Sequence, residues 1–81
     1  MKGGYRMAFD YSELRGRIIA KFGTIKAFAK AYGISYVTMS NKLNGHVAIS
    51  PDDIVKMSGP GLLDIQPCEY HTYFFKLKVH E

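Results

Sequence analysis

The sequence holds little of what disulfide frameworks and membrane spans require. Its one cysteine, Cys68, excludes a disulfide within the chain. No apolar run approaches the roughly 20 residues of a membrane-spanning helix, and the N-terminal residues lack the continuous apolar segment of a signal peptide. We therefore expect a cytoplasmic protein whose stability comes from a packed core.

Patterns for catalysis and for metal binding are also missing. The only closely spaced pair of metal ligands is Cys68 and His71, whereas a structural zinc site needs four. No nucleophile is spaced with a base, and no glycine-rich loop joins a strand to a helix. Base stacking on single strands is a minor alternative, because most of the Phe and Tyr residues fall at core spacing. We predict no catalytic residue, no metal and no cofactor, and hence not an enzyme.

Length and charge indicate one small domain that meets a polyanion. At 81 residues the chain forms a single domain, and so small a core gains from a second copy. Residues 1–46 hold eight Lys and Arg against two acidic residues, whereas residues 47–81 hold three against five. Positive charge gathered in one half is typical of proteins that bind nucleic acid. We expect a homodimer with a basic binding face.

The first half of residues 24–45 predicts a short helix followed by a tight turn. Thr24 is placed to cap the helix through its hydroxyl. Gly33 follows where a helix commonly ends in the left-handed conformation. The residues between them form one apolar stripe at helical spacing: Ile25, Phe28, Ala29 and Tyr32.

The second half predicts another helix with a narrow buried edge. Ser35 stands at its N-cap, and Met39 and Leu43 lie four residues apart on the buried side. Asn44-Gly45 marks the stop. The outward side chains are polar or aromatic, and they are Tyr36, Thr38, Asn41 and Lys42. Residues 24–45 therefore have the pattern of a helix-turn-helix.

Helices are predicted on both sides of this unit. Asp10 and Glu13 suit a capping box for the first helix, which ends near Gly23. Its stripe is Tyr11, Leu14, Ile18 and Phe22, with Ile19 beside it. Arg15, Arg17 and Lys21 lie off the stripe, either as a solvated face or as phosphate contacts. A fourth helix starts at Ser50-Pro51 and runs to about Ser58, after which Leu62, Leu63 and Ile65 return to the core.

The C-terminal part changes its repeat. Residues 66–71 permit one further helical turn, and residues 73–79 alternate with the two-residue period of a strand. A lone strand needs a partner, either residues 5–9 of the same chain or its own counterpart across a two-fold axis. Either arrangement would bury Phe75, Leu77 and Val79.

The central residues resemble the Cro and CI type phage repressors and the wider lambda-repressor-like helix-turn-helix family. The resemblance covers residues 10–58 and depends on a set in the family's order and spacing: Ala29, Gly33, Ile34-Ser35, Met39, Ser40 and Asn44-Gly45. Two positions depart from it. Ile25 stands where the family often has a phosphate-contacting glutamine, and Lys42 stands where it often has an apolar residue. The fold implied is a mainly α bundle of four to five short helices with a C-terminal strand. The resemblance also implies dimerisation through the C-terminal part, so we prefer the two-fold version, in which Phe75, Leu77 and Val79 form the dimer contact.

The resemblance implies a sequence-specific double-stranded DNA-binding regulator, with its second helix in the major groove of paired operator half-sites. We predict that Tyr36, Val37, Thr38 and Asn41 read bases, and that Thr24, Lys26, Ser35, Lys42, Asn44 and His46 bind phosphates. Partial burial is the other reading of Tyr36 and Val37. The alternative function is a modulator or antirepressor that keeps this fold and acts by binding another regulator. Its warrant is the apolar C-terminal segment and the missing glutamine at Ile25.

Overall fold

Short helices make up more than half of the described structure. The computed structural model describes residues 9–77, and in that range the fold is mainly α. Its helices are α1 (Ser12–Phe22), α2 (Ile25–Tyr32), α3 (Tyr36–Leu43), α4 (Pro51–Met57) and α5 (Tyr70–Phe74), with a 3-10 turn at Pro67–Glu69. None of the helices in the described range is long and apolar enough to cross a membrane.

Local capping explains why α2, α3 and α4 begin where they do. The Thr24 hydroxyl accepts a hydrogen bond from the Ala27 backbone N–H at 3.0 Å, and Ser35 accepts one from Thr38 at 3.1 Å. Ser50 and Asp53 form a reciprocal capping box at α4. Gly33 ends α2 at φ 103°, a left-handed conformation that favours glycine. The structure thus has the two short helices predicted within residues 24–45, with a turn between them.

The first helix starts slightly later than predicted. Its N-cap position is Tyr11, although the Asp10 carboxylate still accepts from the Ser12 backbone N–H at 2.9 Å. The predicted reciprocal bond from Glu13 is replaced by an exposed contact of 3.9 Å with Lys76. The difference is local, because the apolar stripe continues to place Leu14 and Ile18 in the core.

The core is formed by residues from all five helices. Leu14, Phe28 and Met39, one from each of the first three helices, are fully buried. Phe28 lies between two aromatic neighbours, with ring centroids 5.2 Å from Phe22 and 6.0 Å from Tyr32. The remaining buried apolar residues are Ile18, Ala29, Leu43, Ile54, Met57, Leu63, Ile65 and Phe74. Leu63 and Ile65 therefore return to the core as predicted.

The predicted C-terminal strand is not found in the described residues. Tyr73 and Phe74 belong to α5, and the strand-like pairing is limited to one antiparallel bridge between Phe9 and Leu77. The aromatic run fits both periods, since Tyr70 and Phe74 also lie one helical turn apart and pack edge to face at 5.9 Å. Because the helix buries Phe74 in the core, the segment forms a helix and not a strand. Val79 and most of the predicted N-terminal partner, residues 5–9, lie outside the described residues.

Candidate interaction surface

The predicted base-reading residues lie on the outer face of α3. Tyr36 is 50% exposed and Val37 64% exposed, which excludes burial of these two side chains within the domain. Thr38 is also exposed, and its hydroxyl accepts a hydrogen bond from Ser35 at 2.9 Å. Asn41 is half-buried, and its backbone carbonyl accepts hydrogen bonds from the backbone N–H groups of His46 and Val47 in the following loop. The exposed face of α3 is therefore more apolar at its start than at its end.

The predicted phosphate-binding residues differ in their exposure and in their hydrogen bonds. Thr24 and Ser35 are engaged as helix caps. The Asn44 side chain accepts from the Arg15 guanidinium and donates to the Ser40 hydroxyl at 3.3 Å. Lys26 and His46 are exposed. Lys42 is half-buried in an ion pair, described below.

Both arginines of α1 hold the fold together. The Arg17 guanidinium donates to the Leu63 carbonyl at 3.0 Å and to the Asp64 carbonyl at 2.9 Å. The Arg15 guanidinium donates a hydrogen bond to the side chain of Asn44, the C-cap residue of α3. These donors are directed at the protein itself, so Arg15 and Arg17 have a structural role.

Lys42 belongs to a polar group that we call the Asp53 cluster: Tyr32, Lys42, Ser50 and Asp53. The Asp53 carboxylate accepts from the Lys42 ammonium at 2.9 Å, from the Ser50 backbone N–H at 3.0 Å and from the Ser50 hydroxyl at 3.0 Å. It also accepts from the Tyr32 hydroxyl. One carboxylate thus joins α2, α3 and the start of α4.

Burial and hydrogen bonding act on the titration of this cluster. Burial alone would raise the pKa of the Asp53 carboxyl, but the bonds from Tyr32, Ser50 and Lys42 outweigh it and hold that pKa well below its usual range. Burial raises the pKa of Tyr32, and the neighbouring Asp53 carboxylate raises it further. At neutral pH the carboxylate is therefore charged and the phenol is a donor.

A second region, the α1–α3 groove, is open and largely apolar. It consists of two adjoining hollows that share Thr24, Lys26 and Tyr36. One is also lined by Ile19, Gly23 and Ile25, and the other by Ala27, Lys30 and Ile34. Ile19 is 47% exposed here although its spacing placed it beside the core stripe. The sequence contained a signal for the exposure of Ile19. Neighbouring residues of a helix point to different faces, so Ile19 cannot share the buried face of Ile18.

The predicted dimerisation residues are exposed where they are described. Phe75 is 43% exposed and packs edge to face on Phe9 at 6.0 Å, and Leu77 is 49% exposed. A dimer contact through them stays a prediction. Cys68 is also exposed, as is His71.

Comparisons with known proteins give a family and a similar solved structure. The profile of a family described as "Protein of unknown function (DUF739)" matches residues 7–77. Among solved structures, the chain is similar to the solution structure of the modulator of repression (MOR) of the temperate bacteriophage TP901-1 from Lactococcus lactis. That match has a TM-score of 0.74 and 43% sequence identity, and it covers 89% of this chain and 95% of that chain. No curated protein matches the chain.

These matches correct the resemblance to the Cro and CI type repressors. The assignment to that lambda-repressor-like family is wrong, because the chain matches DUF739 and a modulator of repression instead. The residues that carried the resemblance, such as Ala29 and Gly33, are those that a tight helix-turn-helix needs for close packing and for its turn. Such residues specify a backbone geometry and leave the ligand open.

Proposed function

The chain belongs to the family described as "Protein of unknown function (DUF739)", and we propose that it is a phage regulatory protein that modulates repression by binding another regulator. The observation that carries the proposal is the 43% identity to a modulator of repression over 89% of this chain. It would act as a binding protein without catalysis or cofactor, in the cytoplasm where a repressor meets its operator.

The use of basic side chains supports a protein partner over operator DNA. Affinity for duplex DNA depends on cations that neutralise phosphates. Arg15, Arg17 and Lys42 are instead bound to groups of the same domain. These bonds restrain the three side chains in their present positions, although each keeps further N–H donors.

The exposed side chains support the same conclusion. Tyr36 and Val37 are the first two residues of α3 and are exposed, and Ile19 of α1 is also exposed. Apolar and aromatic side chains are enriched at the centres of protein–protein interfaces. A face of this composition is suited to bury apolar surface against another protein.

The experiment is a fluorescence anisotropy titration with labelled operator and the repressor encoded beside this chain. We expect the chain to change the affinity of the repressor for the operator, and to leave the anisotropy of the operator unchanged when added alone. The control is the same titration with heat-denatured chain.

A different result would identify a DNA-binding protein. The chain alone would then bind the operator, and the logarithm of its affinity would fall linearly with the logarithm of salt concentration, by about 0.9 per phosphate neutralised. In that case the proposal is wrong, and base reading by Tyr36, Val37, Thr38 and Asn41 becomes the explanation to test.

A further inference from the structure

We propose that the α1–α3 groove is the site that takes the partner protein, and that its occupant is a bulky apolar side chain flanked by carboxylates. This inference rests on the proposed function, because it names the chemistry by which the other regulator is recognised. Its basis is the combination of apolar walls and unbalanced positive charge in one groove.

The apolar walls come from three helices and the turn. Ile19 of α1 and Tyr36 of α3 line the same hollow, and about half of each residue is exposed. Ile25 and Ile34, one in each hollow, are half-buried. Tyr36 lines both hollows, together with Lys26 and Thr24. Central tyrosines in such positions often carry a large share of the binding energy of an interface.

The charge of the groove has one sign. Its charged lining residues are Lys26 and Lys30, four apart on α2, and both are exposed. No aspartate or glutamate of the described chain lines the groove. Like charges at this spacing destabilise an isolated helix by about 0.2 to 0.5 kcal/mol. A carboxylate brought by a partner would relieve that repulsion and set its register in the groove.

A protein matches this site better than a nucleic acid does. Phosphates would satisfy the two lysines, but they are hydrated and give no apolar surface to cover Ile19 and Tyr36. An apolar side chain removes that surface from water, at about 25 cal/mol per Å² buried. The combination of both features therefore favours an acidic amphipathic segment of a protein.

The test measures binding of full-length variants to the repressor encoded beside this chain, by isothermal titration calorimetry. We expect Tyr36→Ala to weaken binding about tenfold or more, as for a central aromatic anchor. The matched control is Val55→Ala, because Val55 is 65% exposed on α4 and lies outside the groove. That control should stay within about twofold of the wild type.

The charge is tested separately. Lys26→Glu should weaken binding and flatten its dependence on salt, whereas Lys26→Arg should keep both. Ile19→Ser, at the lining residue from α1, should weaken binding as Tyr36→Ala does, which provides a second variant if one of them unfolds. Far-UV circular dichroism and thermal unfolding check that each variant is folded.

The outcomes separate the inference from the proposed function. Wild-type binding that survives Tyr36→Ala, Ile19→Ser and Lys26→Glu would overturn the inference and leave the modulator function in place. Failure of the wild type to bind the repressor would overturn both. Loss of binding to operator DNA alone in the same variants would show that the groove takes nucleic acid, which also overturns the inference.

Discussion

The Asp53 cluster and the α1–α3 groove use lysine in opposite ways. In the cluster, Lys42 is paired at 2.9 Å, and its side chain and that of Asp53 are only 14% and 15% exposed. In the groove, Lys26 and Lys30 are exposed beside apolar side chains, without an acidic residue of the described chain in the lining. The same residue type therefore supports the fold in one region and is available to a partner in the other.

The start of α4 explains this difference. Its capping box fixes Asp53 where the carboxylate can reach both α2 and α3. Among residues 9–77, no acidic residue has a corresponding place at the groove. A pair held near the surface of the core is worth more than an exposed one, because water and salt screen it less. The comparison thus predicts large stability effects in the cluster and small ones in the groove.

The largest expected effect is that of Asp53→Asn. The amide keeps the shape of the carboxylate but removes its charge, and its NH2 group faces at least one donor. We expect the free energy of unfolding to fall by about 2 to 3 kcal/mol, measured by urea titration with far-UV circular dichroism.

The matched control for that change is Asp52→Asn, at the exposed neighbouring position of α4. It should change the free energy of unfolding by about 0.5 kcal/mol or less. Equal losses in the two variants would mean that helix-end charge matters and that the bonds to Tyr32 and Lys42 do not.

Acid should weaken the cluster specifically. The pKa of Asp53 is held below its usual range in the folded state, so its contribution is present above the unfolded pKa and is lost as pH falls below it. We expect the stability of the wild type to decline from about pH 4, the ordinary range of an aspartate. The decline should be shallower in Asp53→Asn, measured as urea unfolding across a pH series. Parallel pH profiles would assign the acid sensitivity to other carboxylates.

Local chemistry made most of the fold predictable. Hydroxyl caps at Thr24, Ser35 and Ser50 and the glycine at position 33 act within a few residues, so their effect can be read from spacing. The buried stripe through Leu14 and Phe28 follows the helical period for the same reason. The C-terminal aromatic run failed because it satisfies two periods, and only tertiary burial of Phe74 selects the helix.

The candidate site was less predictable because it depends on contacts between distant residues. Nothing in the local sequence shows that Lys42 meets Asp53 eleven positions later, or that Arg17 reaches the Leu63 carbonyl. Without those pairs the basic half of the chain resembles a phosphate-binding face. The helix-turn-helix pattern then added DNA as the expected ligand, although the backbone geometry alone does not specify one.

The smallest expected stability effect, and the sharpest test of the comparison, comes from two identical substitutions. Lys42→Met keeps most of the apolar stem but removes the ion pair, so we expect unfolding to become easier by about 1 kcal/mol. Lys26→Met breaks no ion pair found in the described residues and should change stability by about 0.5 kcal/mol or less. Binding should respond in the opposite order. Lys26→Met weakens association with the repressor because the groove loses positive charge, whereas Lys42→Met leaves it close to wild type as long as the domain is folded. Urea unfolding and calorimetric titration of both variants measure the two effects. If both lysines changed stability and binding alike, their different surroundings would not control their roles, and the distinction between the cluster and the groove would be lost.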